Sequence, residues 1–302
     1  MKQNEILSVI FETKLNLNIE TEKSMKPRNI LLLSFAIILL ATCNKNAEEP
    51  YSVDNILTDN ALAAIYFHTI FREAENTWVL VDSIIKYKTE TYEIPANRPA
   101  SKTLTYNADT DTVTVKYNEW PSGGHLLSGT MYVTFIKNAY CTVDGAKADI
   151  KLNDFSINGQ MVTADSRITY KKVNNSKTDH FTYTLLDGAA IREKGTSMPV
   201  IITGTISNGQ YNRIEGGETL TQEDDVWEYS GRMTGTLGKG LSMKYTNEVQ
   251  SSFQGENGTV HFTTDCKFAE QGIAKITITG RPDIFYGYYC SGVYYETVTH
   301  VD

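Results

Sequence analysis

The chain is poor in the residues that mark most chemistries. Of its 302 residues only 4 are cysteine, 5 histidine, 3 tryptophan and 7 proline. The histidines (His68, His125, His180, His261 and His300) are scattered, and no His-Glu-x-x-His occurs, so a zinc site has no sequence support. No Gly-x-Ser-x-Gly turn presents a nucleophile. Gly231–Ser242 looks like a phosphate loop, but Met233 stands where its first glycine should be, and Gly240 where Ser or Thr should follow Lys239. A bent strand or glycine-rich hairpin is the reading there. Glu223-Asp224-Asp225 reads as a solvated turn. Basic clusters are absent and the formal charge is −8, which argues against nucleic acid and against electrostatic docking on anionic lipid. The expectation is a chain without a cofactor or metal and without catalytic activity.

One long apolar run is present, Ile30 to Ala41, broken only by Ser34. It follows Met25, Lys26 and Arg28 and ends at Thr42-Cys43. A basic start followed by an apolar core is the layout of an export signal, and the run is too short to span a bilayer comfortably, which takes about 20 residues. Leu40-Ala41-Thr42-Cys43 resembles the lipobox of bacterial lipoproteins. That resemblance implies lipidation of Cys43, which becomes the mature N-terminus, and a membrane partner reached through the lipid. Thr42 departs from the small residue usual before the cysteine. Met25 is the better start, so residues 1–24 read as an upstream extension, 25–42 as the signal and 43–53 as an acidic tether (Glu48-Glu49-Pro50 within it). Residues 1–42 carry five bases and four acids, a net of +1, which leaves −9 for the remainder.

Residues 54–302 read as a single domain. Leu57, Ala61, Ala64, Phe71, Ala74, Trp78, Val81 and Ile85 recur at three- and four-residue spacing and predict one helix over about 54–86. Asp54 or Asp59 would cap it, Glu73 and Glu75 would lie on the opposite face, and His68 would pack near the rim of the core. After Pro95 the period falls to two. Thr112–Tyr117, Thr130–Phe135, Ala148–Leu152, Phe181–Leu185, Val200–Ile206 and Ala274–Thr279 alternate as half-buried antiparallel strands. Asp144-Gly145, Asn158-Gly159, Asp187-Gly188, Asn208-Gly209, Gly216-Gly217 and Asn257-Gly258 read as turns between them. The expected fold is mainly β, an up-and-down antiparallel meander forming one curved sheet around the single N-terminal helix. A β-sandwich with an external helix is the alternative.

Cys141, Cys266 and Cys290 remain after Cys43, an odd set. Cys266 and Cys290 are the candidate disulfide, both lying among the C-terminal strands with room for a hairpin between them. Three reduced cysteines are the alternative. Tyrosine is abundant, 18 against 11 phenylalanines, which suits half-exposed sheets and also glycan or protein contact surfaces.

Thr112–Tyr117, Ser128–Val133, Leu152–Gly159, Asp225–Gly231 and Cys266–Gly280 together resemble a group of uncharacterised lipoproteins of Bacteroidota-type bacteria. The resemblance covers most of residues 100–295. It implies a lipid-anchored protein of the outer membrane or cell surface with no assigned activity. Asn118–Gly124 replaces the acidic Gly/Cys turn common in that group. Three functions follow as expectations: a non-enzymatic binding or structural module with a glycan, protein or lipid ligand, a carrier of an apolar ligand between helix and sheet, or a hydrolase on polysaccharide or peptide.

Overall fold

The computed structural model describes residues 52–86, 91–95, 100–136, 143–171, 180–194, 200–216, 224–238, 243–249, 252–253, 256–257, 259–263, 266 and 269–297. The signal, Cys43 and Cys141 lie outside them, as does the tether apart from Ser52 and Val53. All described residues belong to one compact unit, Tyr51–Asp302.

The helix is α1 (Val53–Lys86). Its cap is Ser52, whose Oγ accepts from the Asn55 amide at 3.2 Å, rather than Asp54 or Asp59. Asp54 sits in the first turn, where a negative charge complements the helix dipole. The apolar stripe is much narrower than the buried surface. Every residue from Ile65 to Glu75 is buried, so α1 is surrounded rather than laid on a sheet. Polar residues on the helix make this possible. Asn60, Thr69 and Thr77 donate to the carbonyls four residues back, of Ile56, Ile65 and Glu73, and so need no other partner for those donors. Glu73 and Glu75, expected on a solvent face, are buried too.

The strands are β1 (Thr91–Pro95), β2 (Ser101–Asn107), β3 (Thr112–Ser122), β4 (His125–Ile136), β5 (Lys147–Ile157), β6 (Gln160–Thr163), β7 (Asp165–Lys171), β8 (His180–Lys194) and β9 (Val200–Glu215). Then come β10 (Val226–Ser230), β11 (Arg232–Leu237), β12 (Met243–Val249), β13 (Ser252–Phe253), β14 (Glu256–Asn257), β15 (Val260–Phe262), β16 (Ile273–Ile278), β17 (Ile284–Tyr289) and β18 (Gly292–Thr297). All but the β13–β14 pair join one 16-stranded antiparallel sheet. Its order follows the chain from β1 to β5, through the split strand β6/β7, and on to β8 and β9, as a meander must. The backbone of the sheet comes nearest α1 at β3, β4, β9 and β18, and side chains of β2, β8, β10 and β15 reach it as well.

A crease across three neighbouring strands bends the sheet. Register shifts interrupt β3–β4 between Tyr117 and Trp120, and β4–β5 between Ser128 and Thr130. Glu119, Gly129 and Asp154 all have positive φ along that line. Bulges sharpen local twist, and two side by side curl the sheet over the helix. At Gly129 (φ 105) a side chain would also collide with the Asp154 carbonyl.

Asn158-Gly159 forms the β5–β6 hairpin turn, with φ 52 and 80, and Asp144-Gly145 turns into β5. Asp187-Gly188 and Asn208-Gly209 do not turn. They lie within the long strands β8 and β9, where the pairing slips at Tyr183/Leu185 and Leu185/Ala189. The same dipeptides that close hairpins also relax a bulge, because both need backbone freedom that β-branched residues lack.

The sheet forks at Gly231. β10 and β11 are halves of one strand, and both pair with β9. On the other side β10 pairs with β15, while β11 pairs with β12 and leads on to β16, β17 and β18.

Candidate functional site

Inside the curl, charged side chains of α1 meet charged side chains of the sheet. Lys102 Nζ on β2 lies 2.6 Å from Glu73 Oε2, with the two side chains 1% and 2% exposed. The Tyr117 hydroxyl donates to the same oxygen at 3.0 Å, and Ser122 Oγ donates to Oε1 at 2.5 Å. Arg72 Nη2 in turn donates to Ser122 Oγ at 2.6 Å. Burial works to raise the Glu73 pKa, but Lys102, Arg72 and the hydrogen bonds outweigh it and hold the carboxyl below its ordinary range. The β3–β4 turn closes over this group, and a Cβ on Gly123 would come within 2.6 Å of the Arg72 guanidinium.

A second group lies beside β9 and β10. Arg213 Nη2 reaches Glu75 Oε1 at 2.5 Å, its Nε lies 3.6 Å from Asp225 Oδ1, and its guanidinium stands 4.6 Å from the Trp227 ring. Asp225 is therefore buried and paired, not part of a solvated turn. Asp224 is exposed, and Glu223 lies outside the described residues.

Between the charged groups runs an aromatic stack. His68 is 2% exposed and lies face to face with Phe262 at 3.9 Å and with Tyr211 at 5.4 Å. It sits in the core rather than at its rim. Burial, then Arg72 and His125, pushes its pKa well below the usual imidazole value, so it is neutral near pH 7. Phe71 stacks on Tyr211 at 4.0 Å and meets Trp227 edge-on at 5.2 Å.

A pocket opens in the crotch of the fork, lined among others by Ala64, Tyr211, Tyr229, Asn247, Phe262 and Tyr288. Asn247 Nδ2 donates to the Tyr286 hydroxyl, which meets that of Tyr288 at 2.8 Å. The buried Asn247 Oδ1 has no hydrogen-bond partner among the described residues. The pocket measures about 20 Å³, enough for one water molecule. An acyl-chain carrier needs roughly 300 Å³ or more, so this pocket does not serve the carrier expectation.

Cys266, before β16, and Cys290, in the β17–β18 turn, are joined as a disulfide with Cα atoms 4.5 Å apart. Among the described residues no cluster of three or more His, Cys, Asp or Glu could hold a metal, and no helix is long and apolar enough to cross a membrane.

Sequence reasoning did not single out Lys102 or Arg213, and it placed Glu73, Glu75 and Asp225 in solvent, whereas they are buried. One signal was available. Glu75 falls four residues after Phe71 and three before Trp78, on the apolar stripe itself, where a charge is either an error of assignment or a buried pair. No family model, no curated protein and no solved structure matches the chain.

Proposed function

We propose that this chain is a lipid-anchored, exported binding or structural module of the outer membrane or cell surface, with no catalytic role. The observation that carries the reading is the order Lys26/Arg28, apolar run, Cys43 and acidic tether ahead of a folded β domain. The Cys266–Cys290 disulfide supports it, since such bonds persist in oxidising compartments outside the cytosol. The ionisable groups described above support a scaffold. The Lys102–Glu73 and Arg213–Glu75 pairs are buried and tie α1 to the sheet, whereas catalytic groups face a cleft that substrate can enter.

The test is metabolic labelling with a fatty-acid analogue in wild type and in Cys43→Ala. Label in wild type alone is the expected result, and equal incorporation would remove the anchor. Protease added to intact cells then reports whether the β domain faces outward.

A further inference from the structure

The outer face of the β17–β18 hairpin is built differently from the rest of the sheet. Ile284, Tyr286 and Tyr288 are buried in the core, while on the other face of β17 Phe285 is half-buried, Gly287 is covered and Tyr289 is exposed. In the hairpin register Gly287 stands opposite Tyr294, and Tyr289 opposite Gly292. Each outward tyrosine thus has a glycine across from it, and its ring lies down on that glycine. A Cβ on Gly287 would collide with the Tyr294 ring, and one on Gly292 would come within 2.7 Å of the Tyr289 hydroxyl. The ring centroids are 6.4 Å apart at an interplanar angle of 34°, and the two tyrosines remain 46% and 51% exposed.

Polar groups border this shelf. The Tyr288 amide donates to the Gly272 carbonyl at 2.9 Å, which continues the β16–β17 register and sets exposed Gln271 level with Tyr289. The Gln271 Nε2 meets His261 Nδ1 at 2.7 Å, which leaves its Oε1 for the shelf. At the other end Lys275 pairs with Phe285 across the strands, and its Nζ lies 3.5 Å from Asp283 Oδ2. Exposed aromatic rings bordered by an amide, an ammonium and a carboxylate match a ligand with apolar C–H faces and a hydroxyl at every edge. The Lys275 charge is answered by Asp283 and the chain carries −8, so an anionic partner is disfavoured. The disulfide at Cys290 adjoins Tyr289 and pins the hairpin, which lowers the ordering cost of binding.

We infer that Tyr289 and Tyr294 form a docking shelf for an uncharged polysaccharide chain. This deepens the binding-module reading by naming the class of ligand, and it rests on that reading for its location in the cell.

The experiment is affinity electrophoresis of the soluble chain from residue 44 onward through gels containing a neutral β-glucan, a neutral α-mannan or the polyanion hyaluronan. Wild type is expected to be retarded by at least one neutral polymer and not by hyaluronan. Tyr289→Ala/Tyr294→Ala should weaken retention roughly tenfold or more, while Tyr289→Phe/Tyr294→Phe should keep most of it. Circular dichroism and melting temperature check that the variants are folded. Three results each overturn the shelf: no retardation of folded wild type, retention that survives the alanine pair, or retention by hyaluronan alone. If the alanine pair only lowers the melting temperature, the rings merely cover the glycines, and that too overturns it. Because residue 43 is absent, failure here leaves the lipid-labelling result untouched.

Discussion

Lys102 and Glu73 meet at 2.6 Å in a place closed to water, one from the second strand and the other from the middle of a surrounded helix. Taking two charges out of water costs several kcal/mol each, and Tyr117 and Ser122 fill carboxylate valences that water would otherwise fill. Lys102→Met removes one partner and strands the other. The expected loss is about 3–5 kcal/mol by denaturant titration. Glu73→Gln/Lys102→Met should recover part of that loss. Additivity of the two single changes in a double-mutant cycle would show that the pair is not coupled.

His68 gives the fold a pH signature. Its folded pKa is depressed well below the free value of 6.5. Below pH 6.5 the unfolded chain therefore takes up a proton that the folded chain refuses. Stability is full above 6.5 and falls as pH drops toward the folded pKa, by up to about 1.4 kcal/mol per pH unit. Glu73 has the same sign at lower pH, since its stabilisation is present above the ordinary carboxyl value of 4.5 and lost below it. Denaturation midpoints between pH 7.5 and 5 should thus fall for wild type. In His68→Phe, which keeps a ring against Phe262 and Tyr211, that slope should flatten.

Gly129 marks the crease. Its φ of 105 and the nearby Asp154 carbonyl leave no room for a side chain. Gly129→Ala should cost at least about 1–3 kcal/mol from backbone strain alone. The same change at Gly145 (φ 77) also meets strain, but open space surrounds it, so the loss there should be smaller. Melting temperatures of the two variants decide between these outcomes.

The Cys266–Cys290 bond closes a loop with a sequence separation of 24. Chain-entropy arguments give about 3 kcal/mol for such a loop. Reductant should lower the melting temperature of wild type and leave Cys266→Ser/Cys290→Ser unchanged.

The strands were legible because one face of a half-buried sheet repeats every second residue, and Thr112–Tyr117 or Ala148–Leu152 can hardly read otherwise. The helix was legible in extent but not in environment. A stripe argument assumes that charges face water, yet Glu75 finds Arg213 at a separation of 138 residues, which no local spacing encodes. The fork was hidden for a related reason. Asn208-Gly209 has the chemistry of a turn, and only the register against β8 makes it a bulge. The tyrosine shelf depends on which glycine stands across from which ring, a property of pairing rather than of either strand alone.

The charges of α1 also decide what kind of helix its sequence spells. This helix precedes every strand in the chain, yet it touches β18 at the far end of the sheet, so its full surroundings draw on the whole length of the domain. A 34-residue helix built to be buried entirely with aliphatic residues would be taken for a membrane span. Arg72, Glu73 and Glu75, each costly at a bilayer centre, give it a different fate. The residues that lock the core are also the ones that keep its central helix from having the character of a membrane span.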